Sequence, residues 1–327
     1  MRGIIDRLLT SEEPSVRFKV RVQVLGEDPA SPAVRRLQGQ IRRSPRVAAL
    51  LSERVADGKI PYHPYAKWYG AHWVLATLAD IGYPAGDKSL VPLGEQVYSW
   101  LLSPQHLTEA VREIDGRVRR CGSQEGNALW AMLTLGIADE RADTLAANLM
   151  RWQWPDGGWN CDKRPEAAKS SFHETLIPLR ALALYGKVRR EKAALEAARR
   201  ASEVFLKRRL FRRLSDGGVM NDDFLLLCYP AYWHYGVLAG LKVVAETGFI
   251  CDARCREALD FIESKRLPDG GFPAEARYYK GTPKQTMTAG RSLVDWGEVS
   301  KRKTNEFVTA DALYVLKAAG RLRNDER

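Results

Sequence analysis

The sequence predicts an all-α protein, an α/α toroid in which a double ring of helical hairpins repeats about five to six times around a centre. Two observations carry this reading. An Asp-Gly turn recurs at Asp57-Gly58, Asp115-Gly116, Asp156-Gly157-Gly158, Asp216-Gly217-Gly218 and Asp269-Gly270-Gly271. After each comes a short polar stretch and then a densely apolar segment, closed by Gly82, Gly136, Gly186, Gly248 and Gly320. The segments on the two sides of the turns also differ in pattern. Those before most turns are amphipathic, whereas residues 128–135, 176–185, 235–244 and 310–319 are apolar nearly all round. A helix with one apolar stripe is half-buried, and one apolar on every side is buried on every side. Their alternation is most simply satisfied by an inner ring wrapped by an outer ring, with space for a cavity at the centre.

Along the chain, residues 1–30 read as a leading arm or helix. Val16, Phe18, Val20, Val22 and Val24 alternate with Arg17, Lys19, Arg21 and Gln23, which alone reads as a strand. Pro14 suits a helix start, and the helical surroundings favour a helix. The outer hairpin arms follow. Val47, Leu50, Leu51 and Val55 lead into the first turn, Leu145, Leu149 and Trp152 into the third, Ala194, Ala198, Ala201 and Phe205 into the fourth, and Ala258, Phe261 and Ile262 into the fifth. Glycine suits the ends of the inner helices because the left-handed terminating conformation costs it least, and Asp-Gly turns begin the return to the inner ring. Residues 273–304 show no periodicity, and a loop of that length inside a compact domain is a candidate lid. The repeats cover nearly the whole chain, so residues 1–327 read as a single domain.

A chain of 327 residues with 45% hydrophobic residues can bury a sizeable core. No run of about 18 apolar residues occurs, so no transmembrane segment is expected, and the N-terminus lacks the apolar stretch of a signal peptide. A cytoplasmic location follows as the expectation. The odd number of cysteines, Cys121, Cys161, Cys228, Cys251 and Cys255, argues against a disulfide framework and fits a reducing compartment. A formal charge of +11 favours an anionic partner, but the basic residues are scattered and mostly Arg, which counts against nucleic acid. A hydrophobic or anionic small molecule, or peripheral contact with an acidic membrane surface, remains.

Polar residues gather where the inner helices begin. Lys67, Trp68 and His72 open the first, Gln124, Glu125 and Asn127 the second, Ser171, His173 and Glu174 the third, Tyr232, Trp233 and His234 the fourth, and Asn305, Thr309 and Asp311 the last. Entering the ring from one side, they are expected to converge at one mouth of the cavity. Several helix N-termini aimed at one place favour an anion, and Arg117, Arg119 and Arg120 reinforce this. His173 with Glu174, or His234 with Glu125, would supply acid–base work near neutral pH. The bland readings stand beside these: the two glutamates stabilising helix N-termini, the tryptophans as core, and Asp222 and Asp223 as turn caps.

Trp152-Gln153-Trp154-Pro155-Asp156-Gly157-Gly158-Trp159 resembles the QW repeat motif of squalene and other triterpene cyclases. Residues 267–272 look like a weaker copy, and residues 214–219 like a degenerate one. The resemblance implies the α/α toroid shared by terpenoid cyclases and protein prenyltransferase β subunits. It also implies an isoprenoid ligand, such as a polyprenyl diphosphate, in a central apolar cavity. The family's initiating motifs do not recur. Met220-Asn221-Asp222-Asp223 stands nearest to the Asp-x-Asp-Asp acid of squalene cyclase-like enzymes, and no Asp-Asp-x-x-Asp cluster is present. Phe172-His173-Glu174-Thr175 is similar to the histidine half of the prenyltransferase zinc site. Glu125-Gly126-Asn127 falls where that family places Asp-Gly-Cys, and Asn cannot replace a thiolate. The resemblance thus implies zinc only if Cys121 or Cys161 joins His173.

Two other classes compete. A carbohydrate-active α/α toroid, a lyase or hydrolase, would work through a carboxylate pair in an open groove lined by exposed Trp. A non-catalytic repeat scaffold would use the positive charge to recruit an acidic partner.

Overall fold

Short polar caps and glycine stops divide this chain into helices, and the computed structural model, which describes residues 3–109, 111–281 and 289–322, shows thirteen of them among those residues. They are α1 (Ile4–Leu9), α2 (Pro14–Lys19), α3 (Pro32–Arg42), α4 (Pro45–Leu50), α5 (Ala71–Asp80), α6 (Val91–Leu101) and α7 (Gly122–Thr134), followed by α8 (Arg141–Trp152), α9 (Phe172–Arg189), α10 (Lys192–Leu206), α11 (Val237–Glu246), α12 (Arg256–Ser264) and α13 (Glu306–Ala318). Ser31 and Ser44 accept the backbone N–H groups of Val34 and Val47, each followed by a proline in the first turn. Asn305 caps α13 in the same way, accepting from Phe307 and Val308.

The leading segment is helical despite its alternation. Val16, Val20 and Val24, spaced by four, are buried in α2 and the π-helical turn Val20–Val24 that extends it, as are Pro14, Ser15 and Lys19, while Phe18 and Val22 are half-buried. A four-residue repeat of buried positions outweighs the two-residue one. At the other ends, α5, α7, α11 and α13 stop at Gly82, Gly136, Gly248 and Gly320, all with positive φ. In each, the N–H one residue further on returns to a carbonyl five residues back, as from Tyr83 to Leu78 at 3.0 Å.

Two expectations from the repeat are corrected. Gly186 does not end its helix: α9 runs on to Arg189, and Arg190 takes the left-handed conformation at φ 57°. A Cβ on Gly186 would lie 2.7 Å from Leu195 of α10, so this glycine serves close packing of the hairpin. Asp115-Gly116 is not a turn between rings either. It is the tip of a small hairpin, β1 (Arg112–Ile114) paired antiparallel with β2 (Arg117–Arg119), and both tip residues have positive φ as a tight two-residue turn requires.

Packing follows the two burial patterns. α5 lies against α7, α7 against α9, α9 against α11, α11 against α13, and α13 against α2 and its π turn. α3, α6, α8, α10 and α12 pack on α2, α5, α7, α9 and α11 respectively. Every residue from Ala71 to Ala79 of α5 is buried, whereas α10 buries one stripe that includes Ala194, Ala198, Ala201 and Phe205. The QW-like turn ties neighbouring hairpins: Gln153 Nε2 donates to the carbonyls of Gly157 at 2.7 Å and of Ala197 in α10 at 2.8 Å, between the buried Trp152 and Trp159.

The expected lid is anchored on the body. Pro273 pairs with Thr304, and Tyr279, Val294 and Trp296 are buried, while residues 282–288 in its middle lie outside the described residues. No helix among the described residues is long and apolar enough to cross a membrane.

Candidate functional site

The polar residues expected at one mouth separate into three groups, and helix phase decides which goes where. Asn127 of α7, with Tyr232, Trp233 and His234 of the segment before α11, lines a cavity of about 120 Å³. Trp73 of α5, Trp130 of α7, Leu176 and Ile177 of α9 and Leu238 of α11 complete its walls. At the rim, Trp68 stacks on Tyr232 with ring centroids 4.1 Å apart and donates its Nε1–H to the Tyr278 carbonyl. His234 is sandwiched between Trp233 and Tyr278, at 4.4 and 3.8 Å. Lys67 Nζ lies 4.8 Å over the Trp233 ring. The anchored loop thus covers the rim through Tyr278.

The floor of the cavity is ionic. Lys19 Nζ reaches Asp80 at 2.9 Å and Asp311 at 3.0 Å, and Lys242 Nζ reaches the same two carboxylates at 2.9 and 3.0 Å. Arg180 pairs with Glu246 and lies 3.7 Å over the Trp130 ring. Burial alone would raise the Asp80 carboxyl, but the charges of Lys19, Lys242 and Arg180 outweigh it and hold the group well below the usual carboxylate range. Asp80 therefore cannot act as an acid toward a bound molecule. Sequence reasoning picked out Asp311 alone from this set, because the other members end apolar helices or look like surface charges. Asp222 and Asp223 are exposed in a short turn capped by Asn221.

The second group lies behind the first turn of α7. Glu125, two residues from Asn127 and on the opposite side of the helix, is fully buried. Its Oε1 accepts from Arg120 Nη2 at 2.8 Å and sits 2.9 Å from His106 Nε2. His106 was not legible as a site residue, since it lies in a π-helical turn outside the repeated positions. His72, also buried, accepts from Asn127 Nδ2 at 3.0 Å through Nε2. The third group is Cys121, Cys161 and Glu174, whose ligating atoms all lie within 4.8 Å of one another. Gln124 and the Tyr65 phenol are close enough to this group for Tyr65 to feel its charges. His173 is not in that group: its Nδ1 accepts the Tyr235 N–H at 2.8 Å, one turn above Ile177.

Burial pushes the His72 imidazole down to about 3 and the His234 imidazole down to about 4, so both are neutral at pH 7 and offer proton acceptors. The unfolded chain takes up protons on these rings below its ordinary value of 6.5, while the folded chain does not. Stability is therefore full above pH 6.5 and falls as the pH drops toward 3, with His72 contributing up to about 1.4 kcal/mol per pH unit. Urea midpoints measured from pH 7 to 4.5 are expected to fall less steeply in His72→Gln than in the natural chain. Equal slopes would sink this assignment.

None of the nine tryptophans is exposed, so the described residues form no Trp-lined open groove. No family model matches the sequence, and no curated protein matches it. Among solved structures, the chain is similar to the type II terpene cyclase MstE from Scytonema. A variant of it in complex with merosterolic acid A, its product, is 16% identical over 95% of this chain and 100% of that one, with a TM-score of 0.28. Another variant in complex with geranylgeranyl dihydroxybenzoate, its substrate, is 16% identical over 94% and 99%, again with a TM-score of 0.28. The apo enzyme is 15% identical over 85% and 97%, with a TM-score of 0.26.

Proposed function

We propose that this chain is a single α/α toroid of the terpenoid cyclase and prenyltransferase type that binds a prenyl group in the central cavity. The observation that carries the reading is the cavity wall, in which Trp73, Trp130, Tyr232 and Trp233 surround an apolar space closed below by matched charges. An engineered cavity of about 150 Å³ accommodates benzene. The space here, about 120 Å³, suits one branched five-carbon unit, with any longer chain running out past the rim. There Lys67 offers the positive charge that an anionic head group, a diphosphate or carboxylate, would meet.

The chemistry of the lining favours binding over protonation-initiated cyclisation. Alkene protonation needs a strong acid, but Asp80 is held ionised by its cationic neighbours and His234 is neutral. What the lining does offer is aromatic ring faces, which stabilise positive charge, and one neutral imidazole, His234, as a proton acceptor.

Tryptophan fluorescence titrated with dimethylallyl, geranyl and geranylgeranyl alcohols and their diphosphates is expected to show saturable quenching. Ala239, on the cavity wall, is the position at which to fill the space. Ala239→Phe should weaken binding at least about tenfold, a loss of about 1.4 kcal/mol, while leaving the helical content unchanged. Saturable binding of xylo- or cello-oligosaccharides instead would transfer the reading to the carbohydrate-active class. Silence toward both classes would leave the scaffold reading.

A further inference from the structure

Away from the cavity lining, three separate elements bring two thiols and a carboxylate to one point. Cys121 precedes α7, Cys161 lies on the loop after the QW-like turn, and Glu174 is in the first turn of α9; their ligating atoms all lie within 4.8 Å of one another. We propose that Cys121, Cys161 and Glu174 form a binding site for one zinc ion. Paired thiolates select a soft-accepting cation, and with a carboxylate they make a donor set suited to zinc. Zinc–sulfur bonds of about 2.3 Å and zinc–oxygen bonds of about 2.0–2.2 Å put tetrahedral donors about 3.5–3.8 Å apart. Small side-chain rotations close the present spacing to that value.

The site is built rather than accidental. The Ser123 N–H donates to Glu174 Oε2 at 3.1 Å, and the Arg120 N–H donates to the Asn160 carbonyl at 3.1 Å, which holds the Cys161 loop against the start of α7. Glu174 is buried and makes no ion pair among the described residues, a costly state for a carboxylate that a cation relieves. Both cysteines are half-buried, so an ion reaches them from solvent. Three protein donors leave a fourth position for water or a ligand atom. Binding releases one proton from each thiol to solvent, with no change of oxidation state.

The test uses the untagged chain, purified without chelator or added metal. Elemental analysis is expected to give one zinc per chain, and cobalt(II) added after chelation should produce thiolate-to-cobalt absorption in the near ultraviolet. Cys121→Ser and Cys161→Ser should each weaken that absorption and lower metal affinity by at least about tenfold, Glu174→Gln should lower the affinity similarly, and Cys251→Ser should change neither. Far-ultraviolet circular dichroism checks that each variant is folded; if a cysteine variant is not, Glu174→Gln and the natural chain's cobalt spectrum decide. Absence of the absorption in the folded natural chain, its persistence in both cysteine variants, or isolation of Cys121 and Cys161 as a disulfide would overturn the proposal.

Discussion

Lys19→Met is expected to lower the unfolding free energy by about 3–5 kcal/mol, the usual cost of removing one partner from a buried ion pair. Lys19 has no exposed side-chain surface and contacts both Asp80 and Asp311. Without it the two carboxylates share Lys242 and an Arg180 already committed to Glu246. Guanidinium unfolding at pH 7 measures the loss directly. Because Asp80 is held below its ordinary value, it contributes stability that is present above about pH 4 and disappears as the pH falls through the folded-state value. The gap between the natural chain and Lys19→Met should therefore narrow in acid. The double variant Lys19→Met/Asp311→Leu, which removes one charge of each sign, should recover much of the loss. A single-variant cost below about 1 kcal/mol would show that the cluster does not hold the helices together.

A comparable effect is expected at Arg120. Arg120→Met leaves Glu125, fully buried, without its guanidinium and dependent on His106 alone, so a loss of about 3–5 kcal/mol is expected. Adding Glu125→Gln should restore most of it, because an uncharged amide needs no cation. If the double variant is as unstable as the single one, the lost stability resides in the packing of Arg120 over the Trp152 ring, 5.3 Å from its centroid, and not in charge balance. Neither substitution touches the cavity lining, so the folded variants should keep whatever prenyl binding the natural chain shows in the titration proposed above.

The helix boundaries were legible because their causes are local: a serine or asparagine accepts from its own first turn, and glycine takes the left-handed stop one residue past the end. Periodicity revealed which helices are enclosed, since an apolar circumference leaves no other option. The failures share a different cause. Gly186 carries the same signal as the terminating glycines, and only the proximity of Leu195, from a different helix, separates packing from stopping. In the candidate site, spacing drew attention to Asn127, Tyr232, Trp233 and His234, which the structure places on one cavity wall. It misplaced Glu125 because adjacency in sequence says nothing about helix phase: two residues on, a side chain points to the far side. Glu174 likewise turns toward α7 and the cysteines, while His173 keeps the face of Ile177. The pairing within the ionic floor was invisible, since its members are spread over α2, α5, α9, α11 and α13 and meet only in three dimensions.

That floor also bears on how the chain is made. Lys19 and Asp311 are separated by 292 positions, so the buried ammonium of α2 gains its second carboxylate only once α13 is in place. Loop closure over such a span is slow compared with forming any one hairpin. A chain that ended before residue 311 would hold Lys19 and Lys242 against Asp80 alone, a surplus of positive charge at the cavity floor.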